Sequence, residues 1–417
     1  MTADHAAAAA PRSGLLERLH EHVSRLDIVD AHCHPVSDRD ATTTVEGFLD
    51  RISLSGFTGD GILDPHVQHT GFVRFLTKEL AGFLGCRPVL AEVVEARNER
   101  GRDYDTYIGD LFRDAGITEV LIDTGYTDGL DAAGVDRFVS TIGPTRTHYL
   151  ARVDTITDEL FATDVSYEDL RDSFVARVRE ALDGTGNLGH RSVGMKSYLL
   201  PDIGVIVPHD DDAAAAASWR EFKRTREASY QDRTAYLERG RVLRERLLTL
   251  AIEECLERDM PMQFHAGDGE PPDVVLRNQH PYYLEEVVRF EKDGMLRMPK
   301  IIPIHAGYPL VGQAAWMSQV YRNVYFELST MTPFVHRGLT GRYLQVMEVA
   351  PLSKILYGSD AFHVPELFWI AARWARRYLA QALAVLVDDG VLDEEEAFEV
   401  AAMILHRNTR EVYNLPT

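Results

Sequence analysis

The sequence predicts an α/β fold, a single (β/α)8 TIM-type barrel, and three observations support this prediction. Short apolar, β-branched runs alternate with long amphipathic helical patterns, which is typical of βα units around a parallel sheet. There are eight such runs, the number that a closed barrel of this kind requires. The chain has 417 residues and is 45% hydrophobic, so it can bury one large core.

The eight predicted strands are each largely apolar along their length, as buried parallel strands are. They comprise residues 27–31, 119–122, 149–153, 192–195, 261–264, 300–304, 323–328 and 354–357. Two connections are much longer than the others and mainly helical, 35–118 after the first strand and 201–259 after the fourth. Such helical insertions after barrel strands lie over the active-site mouth.

Helix boundaries can be predicted where capping residues occur. Ser166 is predicted to cap a helix that runs through Ala181, with Asp169 completing a start similar to a capping box. Pro365 lies in the first turn of a predicted helix over 364–387, which ends before Gly390.

The predicted domain organisation is an N-terminal arm and helix over residues 1–26 and one barrel domain over residues 27–417, because no repeat or linker divides the chain. The alanine-rich start lacks the basic segment and the long apolar segment of a secretory signal. No apolar run reaches the ~20 residues that a membrane helix needs. We therefore expect a cytoplasmic protein with no membrane contact, and we expect a homo-oligomer because barrels of this size often associate.

Charge and cysteine content exclude several classes of partner and site. The net charge of −21 disfavours nucleic acid, since phosphate binding needs clustered Lys and Arg side chains. Cys33, Cys86 and Cys255 are widely spaced and form no CxxC pair. Neither a disulfide framework nor a thiolate zinc site is therefore expected, and the expected partner is a small-molecule substrate.

The first candidate ligands are His32 and His34, which end the first predicted strand. Residues two apart face the same side of a strand, so both imidazoles can reach one metal ion. His20 and His22 repeat the same spacing, but they lie in a helical pattern where such residues point to different sides. On the motif alone, a pair of buried, hydrogen-bonded histidines explains His32 and His34 equally well.

Three further polar residues come at the ends of predicted strands, namely His265, His305 and Asp360. Residues at the carboxyl end of a barrel strand are typically catalytic. Together with His32 and His34 they converge on one mouth. A set of nitrogen and oxygen ligands suits Zn²⁺, with Mn²⁺ or Fe²⁺ as alternatives.

This pattern resembles the amidohydrolase superfamily. The resemblance is carried by DAHCH at 30–34, by His265 and His305, and by YGSD at 357–360. It is closer to the nodulin-like branch, whose members in some organisms are fused to a glutamine-synthetase-like domain. That closer resemblance covers roughly 27–416 and rests on VGMKS at 193–197, QFHAGDG at 263–269, NVYFELS at 323–329, YGSDA at 357–361 and NTREVYNL at 408–415.

The resemblance implies a role for each residue. His32, His34 and His265 would bind metal. Asp360 would ligate the metal and act as the base for its bound water, and His305 would polarise the substrate or bind a second metal. The implied reaction is hydrolysis of an amide or cyclic amide C–N bond in a small polar molecule, since bound Zn²⁺ lowers the pKa of its water to about 7.

Lys196, at the end of the fourth predicted strand, has two interpretations. The resemblance places a carboxylated lysine there in sites with two metal ions, which leaves one or two ions open. The alternative is an ordinary ammonium that holds a substrate carboxylate or forms an ion pair.

Further candidates for substrate binding lie near strand ends and could equally be structural. They are Arg152, Asp154, Asp123, Tyr308, Asp268, Asn278, His363 and Glu366. Arg152 and Asp154 could simply pair with each other. Glu366 is predicted chiefly to favour the amino end of its own helix through its charge.

The branch usually carries a Tyr-Arg-x-Gly stretch after the lysine, but this chain has Tyr198-Leu-Leu-Pro. If that arginine binds a substrate carboxylate, the substrate here is a different one. A metal-dependent isomerase or decarboxylase acting on a small carboxylate is the alternative function on the same barrel. A third alternative is a binding protein without catalysis, which would lack some of the ligand positions.

Overall fold

The computed structural model describes residues 14–37, 39, 41–53, 64–127, 129–186, 189–226, 232–268, 275–292, 295–297 and 299–416. Six strands form a curved parallel sheet, a half-barrel in which neighbours follow chain order. They are β1 (Ile28–Cys33), β2 (Ile117–Asp123), β3 (Arg146–Arg152), β4 (Ser192–Ser197), β5 (Met262–His265) and β6 (Ile301–Ile304). The predicted alternation of strands and helices around a parallel sheet is confirmed.

Two short strands, β7 (Phe326–Glu327) and β8 (Ile355–Leu356), pair with each other in parallel. The Ile301 backbone N–H donates to the Asn323 carbonyl over 2.8 Å, which links the segment before β7 to β6. The Ala31 N–H donates to the Tyr357 carbonyl over 3.0 Å, which links the residue after β8 to β1. The pair therefore makes backbone hydrogen bonds to both edge strands of the six-stranded sheet.

The helices occur between and beyond these strands. In chain order they are α1 (Leu15–Arg25), α2 (Val45–Arg51), α3 (Gly71–Leu84), α4 (Leu90–Arg100), α5 (Tyr104–Ala115), α6 (Ala132–Thr141), α7 (Val153–Phe161), α8 (Tyr167–Asp183), α9 (Leu199–Ile203), α10 (Asp212–Arg224), α11 (Arg233–Glu257), α12 (Glu285–Val288), α13 (Val311–Val320), α14 (Met331–Phe334), α15 (Leu339–Met347), α16 (Pro365–Asp388), α17 (Glu394–Ala402) and α18 (Asn408–Val412). A π-helical turn, Met403–Arg407, joins the last two, and Glu291–Lys292 pairs with Met295–Leu296 as a small antiparallel hairpin.

Both helix starts predicted from capping residues are confirmed. The Asp169 N–H donates to Ser166 Oγ over 3.1 Å, and α8 continues two residues past the predicted end. Pro365 begins α16, which ends shortly before Gly390. No helix in the described part of the chain is long and apolar enough to cross a membrane.

The seventh and eighth predicted strands are much shorter in the structure than the sequence predicts. Strand β7 stops early because the Ser329 N–H donates to the side chain of Glu327 over 2.7 Å. That amide is no longer available to a neighbouring strand. Strand β8 starts late because a 3-10 helix, Leu352–Lys354, precedes it directly.

A compact apolar cluster fills the space enclosed by the strands. It contains Val29, Ala31, Leu121, Leu150, Ile302, Ile304 and Leu356, together with Val412, Tyr413 and Leu415. Inside it, the Gln263 amide donates to the Ala31 carbonyl over 2.8 Å and to the Tyr413 hydroxyl over 2.7 Å. This packing holds the strands rigidly, so the residues at their carboxyl ends have fixed positions.

Candidate metal centre

Two histidines and one aspartate converge at the carboxyl ends of β1 and β8. His32 Nε2 lies 3.1 Å from Asp360 Oδ1, and His34 Nε2 lies 3.3 Å from the same oxygen. All three side chains are buried or nearly so, with Asp360 retaining 13% exposure. The structure thus brings together three of the predicted ligands around one carboxylate oxygen.

The hydrogen bond of His34 indicates which of its ring nitrogens is free. Its Nδ1 lies 3.1 Å from the carbonyl oxygen of Tyr126, and a carbonyl can only accept, so Nδ1 carries a proton. In the neutral ring, Nε2 then holds a lone pair that faces Asp360 Oδ1. Two electron pairs at this distance need a cation between them, either a second proton on the ring or a metal ion.

The spacing of these atoms fits a metal ion. Around a tetrahedral Zn²⁺ with bonds of about 2.0–2.1 Å, neighbouring ligand atoms are about 3.4 Å apart. The distances of 3.1 and 3.3 Å from Asp360 Oδ1 are close to that value. Imidazole and carboxylate are also the ligand types that zinc and similar ions take.

Burial sets the protonation of the cluster. The pKa of His32 is lowered to about 4, because burial and then the charge of Lys196 lower it by more than Asp360 raises it. Burial alone would raise the pKa of Asp360, but His305, His32 and His34 outweigh it and hold that pKa well below its usual range. At neutral pH the side chains are thus a neutral imidazole and a carboxylate, the forms that bind metal.

Asp30 links the two segments that carry these ligands. Its Oδ1 accepts hydrogen bonds from the backbone N–H groups of Ser359 (2.9 Å) and His32 (3.3 Å), and its Oδ2 accepts from Ser359 Oγ. Burial raises the pKa of Asp30 to about 7, against the effect of these hydrogen bonds. The sequence analysis gave Asp30 no role beyond its place in the motif, although its alternation with His32 was a usable signal.

His305 and His265 form a second part of the cluster. His305 Nε2 lies 2.9 Å from His265 Nδ1, and His305 Nδ1 lies 3.4 Å from Asp360 Oδ2. Burial holds the pKa of both imidazoles well below the usual range. His265 therefore joins the other predicted ligands through His305, and its Nε2 is buried with no hydrogen-bond partner in the described part of the chain.

Lys196, Asp123 and Arg152 form a charged group beside His32. Lys196 Nζ lies 3.0 Å from His32 Nε2 and 3.2 Å from Asp123 Oδ2, and Arg152 Nε donates to that same oxygen over 3.1 Å. Burial would raise the pKa of Asp123, but Arg152 and then Lys196 hold it far below its usual value. Burial lowers the pKa of Lys196, although Asp123 opposes that effect.

Arg152 and Asp154 do not form the pair that was one alternative in the sequence. Arg152 pairs with Asp123, while Asp154 accepts a hydrogen bond from the Tyr198 N–H over 2.6 Å. Asp154 lies in the first turn of α7, and its carboxylate reaches the segment after β4 rather than the arginine. Burial raises the pKa of Asp154 to about 6, against that hydrogen bond and the charge of Arg152.

The prediction for Glu366 also needs correction. It does lie in the first turn of α16, but its carboxylate is fully buried and accepts from Arg97 Nε over 2.6 Å and from the Tyr107 hydroxyl over 2.9 Å. Because both partners come from the helices between β1 and β2, Glu366 ties that region to α16. This tertiary contact outweighs its effect on its own helix.

Other predicted residues lie in the segments that follow the strands. The Asp268 N–H donates to the Tyr308 carbonyl over 2.6 Å, which joins the loops after β5 and β6. Asn278 donates to the Pro201 carbonyl over 3.1 Å, which joins the loops after β5 and β4. His363 lies closer to the ligands, because its Nε2 is 3.4 Å from the Tyr126 hydroxyl and the Tyr126 ring packs against His34.

Tyr198 contacts the site in a way that was not predicted from the sequence. Its ring packs against His265 with centroids 4.5 Å apart, and the guanidinium of Arg152 lies 5.8 Å from its centroid. Tyr198 follows Lys196 by two residues, so the alternation of a strand could have identified it. It forms a half-buried wall beside the ligands.

Positive backbone φ angles cluster around the site. Six of the nine non-glycine residues with such angles in the described chain follow the ends of β5 to β8: Asp268, His305, Ala306, Thr330, Asp360 and His363. Each such conformation costs about 1–3 kcal/mol and persists only when its surroundings enforce it. This concentration of strain is typical of functional sites.

Comparison with known proteins identifies the family of this chain. The sequence profile of the amidohydrolase family matches residues 207–415, half of the chain. The protein fluG of Emericella nidulans is 26% identical to this chain over 265 residues, which are 62% of this chain and 29% of fluG. The chain therefore spans less than a third of that relative.

Solved structures share the fold over nearly the whole chain. A protein from Lactobacillus casei ATCC 334, provisionally described as a metal-dependent hydrolase, has a TM-score of 0.77 at 22% identity and covers 95% of this chain and 97% of its own. A uronate isomerase from Thermotoga maritima has a TM-score of 0.63 at 14% identity, with 97% and 98% covered. A glucuronate isomerase from Caulobacter crescentus has a TM-score of 0.64 at 14% identity, with 98% and 96% covered.

At these identities the solved structures establish the fold alone. The family match also establishes the family, because it spans half of the chain. The matched residues include His265, His305 and Asp360. On that match, the chain belongs to the amidohydrolase family.

Proposed function

We propose that the protein is a metal-dependent hydrolase that cleaves an amide or cyclic amide C–N bond in a small polar molecule. The observation that carries this proposal is the convergence of His32 Nε2 and His34 Nε2 on Asp360 Oδ1. His32, His34 and Asp360 would hold the metal, with His265 as a further ligand. When bound, the ion would activate a water molecule and polarise the substrate carbonyl. Zn²⁺ is the preferred ion, with Mn²⁺ or Fe²⁺ as alternatives.

Asp360 can also move the proton. Its Oδ1 faces the histidines, while its Oδ2 accepts a hydrogen bond from Thr330 over 2.8 Å. A carboxylate held in this way can take a proton from the attacking water and deliver it to the leaving nitrogen. The Asp360 side chain is only 13% exposed, which limits the access of bulk water to this transfer.

Lys196 and Arg152 would bind the polar part of the substrate. Both cations share a single carboxylate oxygen of Asp123 and are nearly excluded from solvent. Two buried cations beside one carboxylate leave a net positive charge, which favours an anionic group on the substrate. We propose that Lys196 acts as an ordinary amine and that the site holds one ion, because its Nζ already forms an ion pair with Asp123 over 3.2 Å.

We further infer that β1 to β8 form a closed (β/α)8 barrel, with 35–118 and 201–259 as insertions over its mouth. The backbone hydrogen bonds from β6 to 323–325 and from β1 to 357–361 support closure. Kinship with the nodulin-like branch, a cytoplasmic location and a homo-oligomer remain part of this proposal.

A metal-dependent isomerase of a small carboxylate is the second candidate. The similarity to solved uronate and glucuronate isomerases and the cationic pair of Lys196 and Arg152 favour it. In that reaction the chain's own carboxylates would move a proton between neighbouring carbons, and no water would be consumed.

Isotope labelling separates the two candidates. The purified protein, loaded with Zn²⁺, is incubated in oxygen-18 water with a panel of cyclic and N-acyl amides, and in deuterated water with a panel of uronates. Hydrolysis places oxygen-18 in the new carboxylate of the product. Deuterium in a rearranged uronate, with no labelled carboxylate from any amide, would overturn the hydrolase proposal. Asp360→Asn should abolish whichever turnover is found.

A further inference from the structure

Four side chains form a continuous hydrogen-bonded chain behind the candidate ligands. Ser329 Oγ and Thr330 Oγ1 each lie 2.9 Å from His305 Nδ1. His305 Nε2 in turn lies 2.9 Å from His265 Nδ1. All four side chains are buried, so no bulk water competes for these contacts.

The direction of the chain follows from the hydroxyl groups, because each carries a single proton. Thr330 Oγ1 donates its proton to Asp360 Oδ2 over 2.8 Å. Ser329 Oγ donates its proton to Glu327 Oε2 over 2.6 Å. The Thr330 hydroxyl, whose proton points to the Asp360 carboxylate, can therefore only accept from His305, and so His305 Nδ1 carries a proton.

Glu327 is a fixed acceptor in this arrangement. The Ser329 N–H donates to its Oε1 over 2.7 Å, and the His305 N–H donates to its Oε2 over 3.1 Å. Backbone N–H groups cannot reverse their direction. The Glu327 side chain thus anchors the main chain of both Ser329 and His305, while burial raises its pKa to about 8.

The second histidine follows from the first. A neutral His305 with its proton on Nδ1 has a lone pair on Nε2, and this lone pair must accept from His265 Nδ1–H. His265 then has a lone pair on Nε2. That atom is the one that is buried without a partner in the described part of the chain.

We propose that Thr330, through His305, fixes His265 in the tautomer whose Nε2 is free to bind metal. His305 is then a positioning residue, with both of its nitrogens engaged, and it is not a ligand of a second ion. The distance of 3.4 Å from His305 Nδ1 to Asp360 Oδ2 would suit a shared metal, but the proton on Nδ1 prevents it. Ligating histidines commonly have their second nitrogen fixed by a hydrogen bond of this kind.

The inference rests on the proposed metal site, but its test reads the tautomers directly. Long-range nitrogen–proton correlation spectra of protein with labelled histidine report which ring nitrogen carries the proton. His305→Gln and His265→Gln assign the two rings. In the wild-type protein without metal, both rings should carry the proton on Nδ1, and a proton on Nε2 of His305 would overturn the proposal.

Three variants test the cause. Thr330→Val removes the hydroxyl at constant shape and should give mixed tautomers and a Zn²⁺ affinity weakened by about 10–100-fold. Thr330→Ser keeps the hydroxyl and should restore both. Thr332→Val is the matched control, because Thr332 is a buried threonine whose hydroxyl donates only to the backbone carbonyls of Leu328 and Gly358.

The outcomes separate the two proposals. Unchanged tautomers in Thr330→Val, or equal loss of affinity in Thr332→Val, would refute the positioning role. Absence of bound Zn²⁺ in every protein, with the wild-type tautomers as expected, would refute the metal-dependent function and leave the hydrogen-bond relay standing.

Discussion

Strand β2 carries two buried carboxylates, Glu119 near its amino end and Asp123 at its carboxyl end. Both side chains are completely shielded from solvent. Glu119 meets His148 over 3.0 Å, Arg410 over 2.7 Å and also Arg146. Among the described residues, Asp123 forms ion pairs with two cations, Arg152 and Lys196.

The two carboxylates differ in how far their cations are exposed to solvent and in what else those cations contact. The side chains of Arg146 and Arg410 are 44% and 20% exposed, so water already solvates part of their charge. Those of Arg152 and Lys196 are 13% and 2% exposed, and Lys196 also contacts His32. Of the two buried carboxylates on this strand, Glu119 therefore stabilises the fold at the amino end, and Asp123 affects the charge of the candidate site at the carboxyl end. This is the division expected between the two ends of such strands.

The largest effect is expected at the carboxyl end, on metal binding. Asp360→Asn removes the charge on which His32 and His34 converge, and Zn²⁺ affinity should fall by at least about 100-fold. Metal content of the purified protein, measured by plasma mass spectrometry, tests this. A variant that retained a full equivalent of zinc would show that Asp360 is not a ligand.

Asp123→Asn should have the largest effect on stability. It leaves Arg152 and Lys196 buried without a countercharge, which costs about 3–5 kcal/mol. Urea unfolding gives the free energy directly. A cost below about 1 kcal/mol, given the burial of both cations, would mean that they reach solvent or that Lys196 is uncharged.

Glu119→Gln should cost less, about 1–2 kcal/mol, because its cations are partly solvated. Zn²⁺ content should stay at the wild-type level, in contrast to Asp360→Asn. Unfolding and metal analysis on the same preparation make the comparison. Loss of metal in this variant would contradict the separation of the two ends.

The smallest effect concerns the pH dependence of stability. Burial alone would raise the pKa of Glu119, but His148 and Arg410 outweigh it and lower that pKa below its usual value. A depressed pKa in the folded state means that this stability is present above the unfolded pKa of about 4.3 and is lost as pH falls through the folded pKa. Wild type should therefore lose more stability than Glu119→Gln between about pH 5 and pH 3. Parallel curves over that range would exclude an ionised Glu119.

The positions of His32, His34 and Asp360 could be predicted because the signals are local. The alternation along β1 puts both histidines on one side, and strands that end in polar residues bring them to one edge. The alternating fold and the parallel sheet were predictable for the same reason. The eight-stranded closure stays a prediction, since β7 and β8 form a two-stranded pair separate from the six-stranded sheet.

Contacts between distant segments could not be predicted. Arg152 pairs with Asp123 and not with Asp154 because β2 and β3 are neighbouring strands whose register places Asp123 opposite Leu150, two residues before Arg152. Glu366 pairs with Arg97, which is 269 positions away in the chain, and this pairing depends on tertiary packing. The residues around Thr330 in the sequence did not indicate its role, because its hydroxyl comes between His305 and Asp360 only in the folded chain.

The hydrogen bonds from Ser359 to Asp30 join residues that are 329 positions apart in the chain. A growing polypeptide therefore carries His32 and His34 for most of its synthesis before Asp360 exists. During that interval the two imidazoles alone make a weak and unselective ligand pair. With the proposed ligand set, capture of an ion would therefore depend on arrival of the last strand, and a chain that has not finished folding would lack the complete site.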